Sequence, residues 1–477
     1  MTSARIGVRL RRLREERGLT QAALARALGI SASYVNQIES NQRPLTARVR
    51  FRLADTFGVD PAEFSTEAAD RLVAQLRDVF GDASLGETAS MAEAQELAAT
   101  MPAVGRLLVE LHRRYRHGLA VNEAITSRID AGAGTSAVPP LMAYEEVRDL
   151  FYAHRNYFPT LDTAAEALFT RAGLTAGDTA AGLAAYLSSR HGTRVEDLPD
   201  DGTGGLRRRF DPASNTLALS PRLRPGQRAF QLATHLATVE MAERIERIVM
   251  DADLSGPETR ALARIGLANY VAGATVLPYR LFRDAAERLR YDIDLLQTRF
   301  RVGYETVTHR LSTLQRPGAR GVPFFFVRVD RAGNISKRQS ATDFHFSRVG
   351  GTCPLWNVYE AFSDPGRIRA QLAEMPDGRA YLWVARTVSH RTGGYGTPVQ
   401  TFAIGLGCDL RHASRLVYAD GLDLGNPAAR TPIGPGCKVC DRPACPQRAF
   451  PAVGRRLDVD PNRSRFTPYA PDDSTTA

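Results

Sequence analysis

The chain has 477 residues, 43% of them hydrophobic and 24% charged, the composition of a globular protein with room for two to four domains, each with its own core. No apolar run approaches the roughly 18 residues a membrane span needs, and the N-terminal pattern is amphipathic, so neither a span nor a signal peptide is expected and the protein is placed in the cytoplasm. The formal charge of +10 is nearly all Arg, since Lys337 and Lys438 are the only lysines; residues 1–60 hold eleven Arg against five Asp or Glu. A basic patch so concentrated is the footprint of phosphate contacts.

Residues 3–60 read as five short helices. Ile6, Leu10 and Leu13 form the first apolar stripe, with Arg9, Arg11, Arg12 and Arg14 interleaved. Thr20 to Arg43 follows. In it Leu24 and Leu28 share one face at i,i+4, and Val35 and Ile38 share another at i,i+3. Gly29 between them can end a helix with φ above zero, and Ser31 offers a side-chain oxygen to cap the next. Two helices joined by a tight Gly-containing turn place a helix in the major groove of DNA. Beyond Pro44, Val49, Leu53, Ala54 and Phe57 continue at helical spacing, and Asp60-Pro61 opens a last turn ending near Phe64.

The segment resembles the helix-turn-helix of the Cro and phage repressor family, with Gln21 opening the first helix and Tyr34-Val35-Asn36-Gln37-Ile38-Glu39 matching the recognition helix. Ser31, Ala32, Ser33 and Gln37 are expected at base edges, with Tyr34 on the same helix. Gln21, Asn41 and Arg43 are expected at phosphates, and Val35 and Ile38 in the core. The partner implied is a double-stranded DNA operator.

Residues 65–130 carry further helical patterns (Leu72, Leu76, Val79; Leu107, Leu108, Leu111), broken at GDASLGETAS, and are expected to link or to pair two subunits. Ala131 to Leu141 reads as a linker. A middle region over 143–316 has helical patterns around Val147 to Tyr152 and Ala164 to Phe169. Two short strands are expected at Gly205 to Phe210 and Thr216 to Leu219, then one long helix through RAFQLATHLATVEMAERIERIV and another over Ala261 to Ala274. The region over 318–470 switches to strand-like runs: VPFFFVRVD, RAYLWVARTV and QTFAIGLG.

The stretch RAFQLATHLATVE resembles the metal-binding helix of zinc-peptidase-like domains. That chemistry needs two His at i,i+4 with Glu after the first. Here Leu236 stands at the Glu position and Val239 at the second His, so His235 alone cannot hold zinc and no peptidase is expected.

Near the C-terminus Cys437, Cys440 and Cys445 are spaced C-x2-C-x4-C in a Pro- and Gly-rich loop. Three thiolates at this spacing admit an iron–sulfur cluster, zinc or a thiol switch, with Cys408 or Cys353 as a fourth ligand through the fold. Lys438, Arg442 and Arg448 would offset the charge of a thiolate-bound cluster.

These C-terminal motifs, with VGYETVTHRLSTL and FSRVGGTCPLW, resemble the short-chain fatty-acyl regulator family, transcription factors of acetate, propionate, glyoxylate-shunt and methylcitrate genes. The resemblance implies a multidomain chain: an all-α helix-turn-helix domain (1–64), a helical segment (65–130), a mainly α degenerate zincin-like domain (143–316) and an α+β C-terminal domain (318–470). It implies a short-chain acyl-CoA ligand, propionyl-CoA or acetyl-CoA, a homo-oligomer and a four-iron cluster on the three cysteines. Arg207, Arg208 and Arg209 suit the phosphates of such a ligand and Tyr270 its acyl slot. Two other readings stand beside it: a peptidase-like regulator cleaving a partner repressor, and an iron or redox sensor with no acyl-CoA site.

Overall fold

The computed structural model describes residues 4–40, 42–43, 45–46, 49, 52–53, 56–57, 66–82, 89–130, 143–199, 205–341, 353–390, 395–437, 440, 442, 445–451 and 462. Its contacts divide the chain into two compact units, residues 1–135, 345–353 and 434–477 in the first and residues 136–344 and 354–433 in the second.

The first unit begins with α1 (Ala4–Glu16), α2 (Gln21–Leu28) and α3 (Ala32–Glu39), which close over Leu10, Leu13, Leu24, Leu28, Val35 and Ile38. The later turns expected there are described only at positions such as Val49, Leu53 and Phe57; Asn41, Pro44, Ala54, Asp60, Pro61 and Phe64 lie outside the described residues. Next come α4 (Thr66–Phe80), α5 (Met91–Thr100) and α6 (Pro102–Asp130). Ser90 starts α5 with a reciprocal cap, its hydroxyl accepting from the Glu93 amide while the Glu93 carboxylate accepts from the Ser90 amide at 2.7 Å. Gly105 lets α6 lie against α4: a Cβ there would come within 3.3 Å of Leu72 and Leu76 methyls. The expected linker at 131–141 lies outside the described residues.

The second unit opens with α7 (Ala143–Ala153), α8 (Pro159–Arg171) and α9 (Thr179–His191). A small sheet of β1 (Arg194–Asp197), β2 (Arg208–Asp211) and β3 (Thr216–Leu219) follows, in the order β1-β3-β2 with β1 parallel to β3. The single long helix expected after it is two. Helix α10 (Pro225–Glu240) ends and α11 (Ala242–Asp251) begins at Met241, whose φ of −121° leaves the helical region. Then come α12 (Pro257–Val276), α13 (Tyr279–Arg288), α14 (Ile293–Phe300) and α15 (Tyr304–Leu311).

The C-terminal sheet contains β4 (Phe325–Val329), β5 (Ile335–Ser340), β6 (Arg369–Glu374), β7 (Ala380–His390), β8 (Gln400–Asp409) and β9 (Thr431–Pro432). Its order is β5-β4-β8-β7-β6-β9, with the short α16 (Asn357–Glu360) between β5 and β6 in the chain. Strands β7 and β8 pair in continuous antiparallel register from Tyr381↔Asp409 to His390↔Gln400. One apolar core runs from Leu150 through Leu236, Tyr270 and Leu314 to Ile404 and Leu416, so residues 143–316 and the sheet after them share a single interior. Among the described residues no helix is long and apolar enough to cross a membrane.

Candidate reading head, ligand cleft and cysteine loop

The reading head is built by its caps. Thr20 Oγ1 accepts from the Ala23 amide at 3.2 Å and starts α2; Gly29, at φ 61°, ends it. Ser31 Oγ then accepts from the Tyr34 amide at 3.1 Å and starts α3. Burying Val35 and Ile38 turns Ser31, Ala32, Ser33 and Asn36 to solvent, with Tyr34 and Gln37 half-buried beside them. Arg43 is exposed, its guanidinium 6.0 Å from the Tyr34 ring. Asn36, absent from the residues expected at base edges, belongs on this face; an amide there can pair with adenine, which is the signal that could have found it. Asn41 lies outside the described residues.

One buried carboxylate fixes the head. The Glu39 side chain, fully buried on α3, accepts from Arg14 Nε at 2.7 Å and Arg14 Nη2 at 3.3 Å. It also accepts from Gln21 Nε2 at 2.8 Å. Gln21 thus works inside the head, tying the start of α2 to the end of α3. The hydrogen bond to Glu39 holds the Arg14 pKa above its ordinary value.

On α10, His235 is 4% exposed and its Nε2 has no hydrogen-bond partner. The Phe210 ring lies 4.3 Å away. Burial pushes the His235 pKa down to about 4, with Arg208 and then His191 adding to the effect. Leu236 is in the core and Val239 is exposed, so no second ligand stands where a peptidase would need one. A cation, Arg208, is the neighbour instead. Among the described residues no group of three His, Cys, Asp or Glu is placed to hold a metal ion.

The three expected arginines divide. Strand alternation on β2 leaves Arg209 exposed, and Arg207 is exposed just before the strand; Arg208 is half-buried, donating to the Gln231 carbonyl at 3.4 Å. Gly202, Thr203 and Gly204 lie outside the described residues. Tyr270 is not beside them. It is buried, donating to Asp162 Oδ2 at 2.7 Å and accepting from the Phe158 amide at 3.2 Å. The same Asp162 receives Arg310 at 2.7 Å and Arg316 at 3.3 Å, a buried network joining α8, α12 and α15. With its hydroxyl committed on both sides, Tyr270 serves the core.

The sequence reading missed a group of cations around His390 and Glu305. Burial lowers the His390 pKa at the end of β7; Arg207, Arg224 and Arg328 lower it further, while Glu305 opposes them. Arg328 donates to Glu305 at 2.9 Å and lies 4.8 Å over the Phe402 ring. Opposite Arg328 in the β4–β5 register is Lys337, 5.6 Å over Phe326. Burial brings the Lys337 pKa down to about 8, with Glu305 opposing and Arg328 adding to the fall. Arg207 just before β2, Arg224 at the cap of α10, Arg328 on β4 and Lys337 on β5 thus act on His390 or Glu305. They form two pairs, Arg207 with Arg224 and Arg328 with Lys337, more than 100 residues apart in sequence, so no motif announces them.

In the first unit Cys437, Cys440 and Cys445 are buried. Gly434 is obligatory under Cys440, since a Cβ there would come 2.6 Å from the Cys440 sulfur. Buried Arg448 donates to the carbonyls of Cys440, Phe450 and Arg442. Cys353 belongs to the same unit. Cys408 lies in the core of the other unit, where burial raises its thiol pKa well above the ordinary range. Lys438 lies outside the described residues.

A helix-turn-helix head ahead of a second unit in which, among the described residues, no three donors are placed to hold a metal defines a DNA-binding transcriptional regulator. Comparison with known proteins agrees. Residues 5–66 match a helix-turn-helix domain, residues 188–312 the IrrE N-terminal-like domain, and residues 313–469 the C-terminal domain of the short-chain fatty acyl coenzyme A regulators. The chain is 54% identical over 472 residues to the HTH-type transcriptional regulator RamB of Mycobacterium tuberculosis, covering 98% of this chain and 99% of that protein. It is 52% identical to PrpR of the same organism, over 97% of this chain and 95% of that protein. It is 43% identical to the propionyl-CoA carboxylase regulator of Cereibacter sphaeroides, over 97% and 98%. A solved Mycobacterium tuberculosis transcriptional regulator, 55% identical, covers 69% of this chain and all of its own, with a TM-score of 0.67. The chain belongs to the short-chain fatty acyl coenzyme A regulator family and is a DNA-binding regulator of short-chain acid metabolism.

Proposed function

We propose that this regulator acts as a homo-oligomer on an operator of acetate or propionate genes, and that a short-chain acyl-CoA in the second unit sets its affinity. The observation that carries the ligand reading is the group of cations around His390 and Glu305: Arg207, Arg224 and Arg328 act on His390, and Arg328, with Lys337 opposite it in the β4–β5 register, lies at Glu305. Coenzyme A brings phosphates to cations and an aromatic base to stack, and half-buried Phe402 sits beneath Arg328. Arg209 and Arg207, both exposed, extend the same charge outward. Tyr270, sealed beside Asp162, is left to hold α8, α12 and α15 together. Calorimetric titration with propionyl-CoA, acetyl-CoA and free coenzyme A tests this reading. Micromolar binding of the thioesters is expected, weakened at least tenfold in Arg328→Ala; equal binding in the variant overturns the assignment of the phosphates.

We propose further that Cys437, Cys440 and Cys445 hold an iron–sulfur cluster, with zinc as the lesser alternative. Three buried cysteines on a Gly- and Pro-rich loop are suitable donors, and Arg448 braces their backbone. Among the described residues no three donors converge on a metal position, so holding the cluster requires the loop to close around it. Such a cluster would supply sensitivity to iron and to oxidants. Protein purified without oxygen is expected to be brown, with iron and sulfide that are lost in Cys440→Ala. Colourless protein containing zinc overturns the cluster in favour of a structural site.

A further inference from the structure

The first unit leaves one apolar surface bare. Six large hydrophobic side chains stand exposed among its described residues, and five share one stretch: Met101, Val104, Leu107, Leu111 and Tyr115, between 43% and 59% exposed. Spacings of three and four residues set Val104, Leu107, Leu111 and Tyr115 in one line along α6, with Met101 just ahead of its first turn. The adjoining face of α6 is already occupied. Gly105 meets Leu72 and Leu76 of α4, and His112 Nε2 is 2.8 Å from Asp82 Oδ2. The bare stripe is therefore a second face, separate from the one that packs the unit together.

We propose that this stripe is the dimer interface of the regulator, and that its occupant is the same stripe on a second copy of the chain. This rests on the homo-oligomer proposed above and locates it. Two observations favour a second copy. The five side chains leave roughly 500 Å² of apolar surface per copy, at the upper end of what a monomer shows; two stripes face to face cover about 1,000 Å², which a specific interface requires. The stripe also belongs to the same compact unit as the reading head, with α1 packed against α4 and α5. A helix-turn-helix head reads one half-site, and a two-fold pair of heads reads a two-fold operator. Pairing through α6, whose 29 residues run about 43 Å, fixes the distance between the two heads in the manner of an isologous contact.

The test uses the full chain. Light scattering on the wild type is expected to give twice the chain mass of 52.2 kDa, and the Leu107→Glu, Leu111→Glu double variant to give that mass once. Both leucines are more than half exposed, so the variant is expected to melt with the wild type. Its affinity for a two-half-site operator should fall at least tenfold while affinity for a single half-site stays unchanged. Should it melt early, Val104→Lys with Tyr115→Lys interrogates the same surface with the same expectation. A monomeric wild type overturns both the interface and the oligomer on which it rests. A folded double variant that remains dimeric overturns the interface alone.

Discussion

At the scale of single residues, two buried ionisable groups decide how the molecule responds to change. Glu39 is sealed on the recognition helix and tolerates that burial because Arg14 and Gln21 supply its hydrogen bonds. Removing Arg14 leaves buried Glu39 with Gln21 and the more distant Arg11, so Arg14→Met is expected to cost about 1–3 kcal/mol of first-unit stability. Replacing both partners, Arg14→Met with Glu39→Met, should recover most of that loss; a urea titration of the two variants beside the wild type measures it. His235 is the complementary case, a buried base kept neutral. Its pKa is pushed down to about 4, whereas an unfolded histidine titrates near 6.5. Above pH 6.5 neither state binds the proton. Between pH 6.5 and about 4 the unfolded chain binds it and the folded one does not, so stability falls with falling pH. From pH 7 to pH 5 the wild type should lose about 2 kcal/mol more than His235→Gln. Parallel pH curves for the two proteins would show that His235 takes up its proton without unfolding.

At the scale of elements, the recognition helix separates two kinds of contact. Gln37 faces the solvent side of α3 with Ser33, and Arg43 follows the helix beside Tyr34. Gln37→Ala is expected to cost about 1–3 kcal/mol against the operator and little against random DNA. Arg43→Ala should weaken both alike and reduce the salt slope by about 1. Fluorescence anisotropy at several salt concentrations distinguishes them; an unchanged operator preference in Gln37→Ala would move the base contacts elsewhere on the helix. This head was legible because its turn, caps and stripe are local: Gly29, Ser31, Leu24 and Ile38 each signal within a few residues. The sheet was legible where strands are long and apolar, as in β4, β7 and β8. Strands β1, β5 and β6 were not, being short or largely polar, and Met241 breaks a helix whose periodicity runs straight through it. Gly407 shows why packing escapes a linear reading: a Cβ there would come 2.6 Å from the Trp383 indole carbons, a constraint created by a strand 24 residues away. The cations escaped for the same reason, since Arg207 and Arg328 come to act on His390 only after the second unit has folded, and the hydrogen bond of Tyr270 to Asp162 spans 108 residues.

At the scale of the whole molecule, the reading head and the cations around His390 and Glu305 belong to different compact units, so control of one by the other is a coupling free energy. A ligand that binds the operator-competent and incompetent states equally changes nothing, however tightly it binds. If propionyl-CoA shifts operator affinity by a factor typical of such regulators, about 5- to 150-fold, saturating operator must shift propionyl-CoA affinity by the same factor and in the same direction. The two titrations, each repeated with the other ligand saturating, measure both sides of that identity. Arg328→Ala separates recognition from coupling: with this cation gone, operator affinity without ligand should equal the wild type, and added propionyl-CoA should leave it unchanged. A variant that loses operator affinity even without ligand would show that the Arg328–Glu305 pair serves the DNA-competent state itself, and the pair would then be a structural hinge between states. A wild type that binds propionyl-CoA tightly with no shift in operator affinity would assign the thioester a role in stability alone and leave the cysteine loop as the switch.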